Sequence, residues 1–155
     1  MKMIKFFAIT FLGMIFFSCG GDATTTTSTE SKTTEEKVEE NAAPTDPMTN
    51  KGIGPISNVE LAAIDDAMAK EGEAVFAAKC TACHKVGKRY IGPDVSGVIT
   101  RRTPEWIMNM IMNPEEMVAN DPIAKELLME YSAPMANQSL TEDETRKILE
   151  YFRTI

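Results

Sequence analysis

Cys80-Thr81-Ala82-Cys83-His84 places two thiols three residues apart and an imidazole directly after the second. Each thiol can add across one vinyl group of haem, and the adjacent His can then reach the iron, so the spacing predicts a covalently held haem. Three other uses of a Cys pair compete with that reading. A zinc site needs further Cys or His ligands, yet His84 is the only His and the one other Cys is Cys19. A thioredoxin-like redox pair needs a strand before it, whereas the residues ahead read as helix. A disulfide between Cys80 and Cys83 is the third.

The residues on either side of this stretch read as helices joined by loops. Toward the N-terminus, Leu61, Ile64, Met68, Val75 and Phe76 recur at spacings near three and four. They predict a helix over 58–79 running into Cys80, with Gly72 setting off a short leading turn. Toward the C-terminus, Thr103-Pro104-Glu105 supplies an N-cap, a proline at the first helical position and an early acid, so 106–112 is a second helix that Asn113-Pro114 stops. Asp121-Pro122 repeats the start signal for 123–131. Thr141-Glu142-Asp143-Glu144 is a capping box that opens a last helix through Phe152. No strand pattern competes, and 57–155 is expected to be a small all-α domain.

That domain resembles the class I cytochromes c over nearly all of residues 65–155. Gly72-Glu73-Ala74-Val75-Phe76-Ala77-Ala78-Lys79-Cys80 is similar to the family's glycine and aromatic, placed eight and four residues before the first haem Cys. In the family, that glycine lets the N-terminal helix cross closely over the C-terminal one, whose aromatics here are Tyr151 and Phe152. A mid-helix Gly costs about 1 kcal/mol against Ala, so a close contact is its natural compensation. Ile91-Gly92-Pro93-Asp94-Val95-Ser96-Gly97 is similar to the family's Gly-Pro loop. By that match, the carbonyl of Pro93 accepts from the free ring nitrogen of His84 and orients it, as partners behind a metal ligand generally do. An ordinary Gly-Pro turn is the alternative. The resemblance implies about four helices around one covalently bound haem, preceded by a disordered tether.

A second His cannot be the distal ligand, because the chain has none. Of 11 Met, Met108, Met110, Met112, Met117, Met129 and Met135 follow the Cys pair. Most Met at helical spacing fill cores, and Met108 and Met112, four apart on one helix, read as a buried stripe. Met135 instead follows Pro134 in a loop before the last helix. That placement resembles the distal loop of class I cytochromes c, where a Met binds the iron. Met135 is the expected distal ligand, with Met117, or a position left open or otherwise filled, as alternatives. By the same resemblance Trp106, the only Trp, donates to a haem propionate, and core packing is its other reading. Arg101 and Arg102 are either propionate partners or solvated surface charge.

At 155 residues the chain allows one ordinary domain with short extras. Residues 1–18 read as an export signal: Lys2 and Lys5 precede an apolar run over 6–17, too short for a bilayer that needs about 20 helical residues. The run ends at Ser18-Cys19-Gly20, which resembles the lipobox of bacterial lipoproteins, although Phe16 and Phe17 stand where Leu and a small residue are commoner. Cys19 is then the acylated N-terminus, and a soluble periplasmic protein is the alternative. Residues 19–56 are rich in Thr, Ser and Glu and are expected to be a disordered tether with a root-mean-square span of about 35 Å. The localisation implied is the periplasmic side of a bacterial membrane, held there by the lipid.

Without the two signal lysines, the 16 basic residues fall to 14 against 23 acidic, which leaves the mature chain near −9 and speaks against a nucleic-acid partner. Lys79, Lys85, Lys88, Arg89, Arg101 and Arg102 lie close in sequence to the Cys pair and are either a local basic face or scattered solvated charge. With His and Met both on the iron, no position remains for substrate, so the expectation is a carrier of single electrons and not an enzyme. Met ligation and apolar burial both raise the reduction potential. The donor is then a quinol-oxidising complex or another cytochrome, and the acceptor a terminal oxidase or an anaerobic reductase. A gas- or peroxide-binding haem protein with an open sixth position is the rival reading, and an exported structural lipoprotein without haem is another.

Overall fold

A computed structural model describes residues 46–155. The expected export signal over 1–18, the expected lipidation at Cys19 and the expected tether as far as residue 45 lie outside the described residues. Five α-helices make the architecture, and no strand is present among the described residues.

Helix α1, Asp66–Lys79, begins at Asp65, whose carboxylate accepts from the backbone N–H of Ala67 and Met68, both at 3.0 Å. It starts later than the apolar spacing predicted. Leu61 and Ile64 stay 39% and 45% exposed on an extended lead-in. The backbone there is tied elsewhere: Arg153 Nη2 donates to the carbonyl of Ala62 at 2.7 Å, and Asp65 N donates to Glu150 Oε1 at 2.9 Å. Helix α2, Pro104–Met112, is capped by the Thr103 hydroxyl, which accepts from Trp106 N at 3.1 Å. Pro114 does end α2, but where the sequence predicts only a stop it also opens a short helix α3, Pro114–Asn120. A proline lacks the N–H that a continuing helix needs and suits the first position of a new one. Helix α4, Pro122–Tyr131, is capped by Asp121, and α5, Glu142–Phe152, carries the expected capping box of Thr141 and Glu144.

The α1 and α5 crossing is the centre of the fold. Gly72 is buried in mid-helix, and a Cβ there would overlap the backbone carbonyl of Lys147, with Ile148 N at 2.9 Å. Phe76 fills the space beside the crossing, its ring 5.6 Å from both Tyr151 and Phe152. Met108, Ile148 and Leu149 complete a core closed to solvent.

Glu150, 1% exposed, ties this crossing to the lead-in. Its carboxylate accepts from Asp65 N, from Arg153 Nη1 at 2.6 Å and from Arg146 Nη1 at 2.5 Å. Burial pushes its pKa up, but those three donors outweigh it and hold the group below its ordinary value of 4.5. A carboxylate depressed in the fold contributes stability that is present above the unfolded value and is lost as pH falls through the folded one. Thermal melts are therefore expected to drop in midpoint below about pH 5. Glu150→Gln should destabilise the protein by roughly 2 kcal/mol at neutral pH and flatten part of that acid slope. An unchanged slope in the variant would assign the acid sensitivity to other carboxylates.

Residues 46–56, expected to finish the tether, pack against the domain instead. Asn50 and Ile56 are buried, and the side-chain amide of Asn109 on α2 donates to the carbonyls of Lys51 and Ile56. The packed domain thus begins before residue 57. A stretch this rich in Gly and polar side chains has no periodicity to announce such packing, because side-chain amides hold it and an apolar face does not.

Candidate cofactor site

The C-terminal end of α1 and the loop after it build one side of an apolar cleft. Cys83 N and His84 N both donate to the carbonyl of Cys80, at 3.0 and 2.9 Å, in a tight turn that sets both thiols and the imidazole on the cleft. The chain then folds back: Gly92 N donates to the carbonyl of Cys83 at 2.9 Å, and the carbonyl of Pro93 meets His84 Nδ1 at 3.0 Å. A carbonyl only accepts, so Nδ1 carries the proton and Nε2 is left bare to face a metal. That is the orienting contact expected of Pro93.

Gly92 has a role the motif alone did not explain. A Cβ there would stand 2.6 Å from His84 Cε1 and 3.0 Å from Nδ1, so the imidazole rests directly on this residue's backbone. Gly92→Ala is expected to tilt the ring and lengthen its bond to Pro93, weakening iron ligation by roughly tenfold, in line with losses at partners behind metal ligands. The check is the optical spectrum and haem retention of the variant under mild denaturant, and wild-type behaviour there would sink the expectation.

The opposite side of the cleft comes from α2, α3, α4 and the loop over 132–141. Met110, Val118, Ala124, Leu127 and Tyr131 line it, and Met135 lies on the same cleft as Cys80, Cys83 and His84. Asn137 clips the Met135 loop to the helices, its Nδ2 donating to the carbonyl of Met112 at 3.3 Å. Met117, the alternative ligand, faces away: it is fully buried, and its sulfur accepts from Ile53 N at 3.0 Å. Met110 reaches the cleft without having been singled out from the sequence. Its place depends on how far α2 is rotated, which one apolar stripe among several Met does not reveal.

Trp106 needs correcting as a propionate contact. Its indole has one N–H, and that donates to the buried carboxylate of Asp121 at 3.1 Å, away from the cleft lining. Core packing is its role, with the Arg102 guanidinium 5.2 Å above the ring. Arg101 does not line the cleft either; it donates to the carbonyls of Ser96 and Asp94 and braces the loop after Pro93. Of the basic residues near the Cys pair, Arg89 pairs with Glu130 at 2.7 Å and stacks 4.0 Å over Tyr131, while Lys85 donates to the carbonyl of Thr81. Lys79 alone of the six reaches the cleft lining.

The cleft encloses about 910 Å³ of empty space, counted to its open mouth. Its walls are largely apolar, and the Cys thiols are unpaired with each other. Burial, and then the neighbouring Cys83, push the Cys80 thiol up to about 11, so it stays neutral at ordinary pH. The donor set and the shape fit a flat, apolar macrocycle with a central metal.

An all-α domain with this cleft and this turn is a c-type haem protein. The family profile described as Cytochrome c matches residues 69–155, and the chain belongs to the cytochrome c family. Its cofactor is a covalently attached haem c, and its general function is electron transfer through that haem. Among solved structures, a cytochrome c from Rhodothermus marinus is 43% identical with a TM-score of 0.64, the match covering 65% of this chain and 88% of that one. An engineered cytochrome c from Rhodothermus marinus, solved bound to a carbene intermediate, is also 43% identical, with a TM-score of 0.61 and the same coverage of 65% and 88%. The cytochrome c domain of the pp3183 protein from Pseudomonas putida is 32% identical with a TM-score of 0.50, covering 54% of this chain and 85% of that one. No curated protein sequence matches the chain.

Proposed function

We propose that this chain carries single electrons at the periplasmic side of a bacterial membrane, held there by a lipid on Cys19. Cys80 and Cys83 form the haem thioethers, His84 is the proximal iron ligand and Met135 the distal one. The observation that carries this reading is that His84, with Nδ1 spent on Pro93, and Met135 line one apolar cleft beside both thiols. When bound, haem supplies an iron that changes oxidation state by one electron. In the attachment step each thiol sulfur bonds one vinyl carbon and the thiol hydrogen ends on the other, so no oxidant or reductant is consumed.

With His84 and Met135 both on the iron, no coordination position is left for substrate, and the chain is a carrier and not an enzyme. The apolar wall of Val118, Leu127 and Leu128 disfavours the extra positive charge of the ferric state and, with the Met ligand, raises the potential. A raised potential suits a donor that is a quinol-oxidising complex or another cytochrome, and an acceptor that is a terminal oxidase or an anaerobic reductase.

The full-length protein is expected to keep the mass of haem after denaturation and to give a reduced c-type spectrum that carbon monoxide leaves unchanged. A spectral change with carbon monoxide would favour an open sixth position and a gas- or peroxide-handling protein. Cys19→Ser should move the protein from the membrane fraction to the soluble one, and retention in the membrane would sink the lipid anchor.

A further inference from the structure

Residues 46–59 lie ahead of the family match, yet buried side chains rivet them to the domain. Asn50 is 1% exposed. Its Nδ2 donates to Asp121 Oδ2 at 2.6 Å, its Oδ1 accepts from Gly52 N at 2.7 Å, and its carbonyl accepts from the Thr103 hydroxyl at 2.5 Å. Asn109 grips the same segment through Lys51 and both backbone groups of Ile56. Ile53 N donates to Met117 Sδ, and a Cβ on Gly52 would stand 2.8 Å from that sulfur.

Each grip falls on one of the three helices that wall the cleft. Asn109 on α2 precedes Met110, Met117 on α3 precedes Val118, and Asp121 caps α4 three residues before Ala124; all three followers line the cleft. Asp121 Oδ1 accepts from Ala124 N at 2.8 Å and from Trp106 Nε1, so one buried carboxylate joins the segment, α2 and α4. A capping carboxylate also bound to the segment couples the seating of α4 to the segment's own.

We propose that residues 46–59 form a strap that positions the distal wall of the haem cleft, with Asn50 acting through Asp121 to hold α4 in place and keep water out. The proposal rests on the haem reading above. Solvent access around a metal site sets its dielectric and hence its potential. Water admitted along α4 would stabilise the ferric form, which carries the additional charge.

The test uses the full chain with Asn50→Ala and Asn50→Asp. In Asn50→Ala, covalent haem is expected to persist while the oxidised-to-reduced ratio at fixed potential rises by about tenfold, or about 59 mV for a one-electron couple. The amides of Ala124, Leu127 and Leu128 should exchange faster. In Asn50→Asp, two carboxyls share one buried site, and each disfavours ionisation of the other. The potential should be near wild type at low pH, where a shared proton restores the hydrogen bond, and fall as pH rises; wild type should lack that step. A lowered melting midpoint with unmoved potential and no such step would make the strap a brace only and overturn the proposal. Absence of covalent haem from the wild-type protein would instead sink the haem reading on which the strap depends.

Discussion

Replacing Met135 with alanine is expected to abolish the weak far-red sulfur-to-iron absorption band of the ferric protein. It should also lower the reduction potential by roughly 100 mV, within the span of about 0.8 V over which axial ligands set haem potentials. The reason is local. Met135 and His84 line the same cleft, the chain has no second His, and the sulfur of Met117 is already occupied by the N–H of Ile53. With the thioether gone, the iron has an open position, and the reduced variant should bind carbon monoxide where wild type does not. The fold should survive, because Met135 is only half-buried in a loop and Asn137 still clips that loop to α2 and α3. A band that persists unchanged in the variant would remove Met135 from the iron and leave Met110, which also lines the cleft, as the thioether to test.

The second large effect is expected at Gly72. Helix propensity alone favours Gly72→Ala by about 1 kcal/mol, since alanine loses less backbone freedom in a helix. The crossing reverses that sign. The added Cβ would overlap the carbonyl of Lys147, and the nearest atoms on that side are all backbone, so α1 and α5 must separate. Overpacking of this kind costs typically about 1–3 kcal/mol, and here it would also pull Phe76 from Tyr151 and Phe152. A net loss of roughly 2 kcal/mol, or roughly 10 °C in melting midpoint for a domain this small, is the expected result. Because Cys80 directly follows α1, the variant should also retain haem less well under denaturant. A midpoint equal to or above wild type would show that the helices do not meet closely at Gly72.

The parts of this fold legible in the sequence are those that short stretches encode. Thr103-Pro104 and Thr141 to Glu144 announced helix starts, because caps satisfy backbone donors within three residues of themselves. Gly72, Phe76 and the Cys pair share a resemblance that extends to the α1 and α5 crossing, and the crossing is present. The lead-in before α1 departs from the periodicity: Leu61 and Ile64 have helical spacing with Met68, but the backbone beside them, at Ala62 and Asp65, is bound to Arg153 and Glu150, 91 and 85 residues on. Helix α3 was missed because a proline read as a stop also serves as a start.

Covalent attachment of haem was decided by the sequence of five residues from Cys80 to His84, because two thiols and an imidazole at that spacing have few other uses in a chain with one His. Everything that tunes the site was decided by tertiary structure. The bare Nε2 of His84 requires the carbonyl of Pro93 and the missing side chain of Gly92 at one point in space. The removal of Met117 and Trp106 from the site follows from partners at Ile53 and Asp121, and the strap follows from Asn50 meeting a carboxylate that is distant in sequence. A hydrogen bond has one donor and few acceptors, and which pair forms depends on which groups the fold brings within about 3 Å. Local patterning cannot specify that distance.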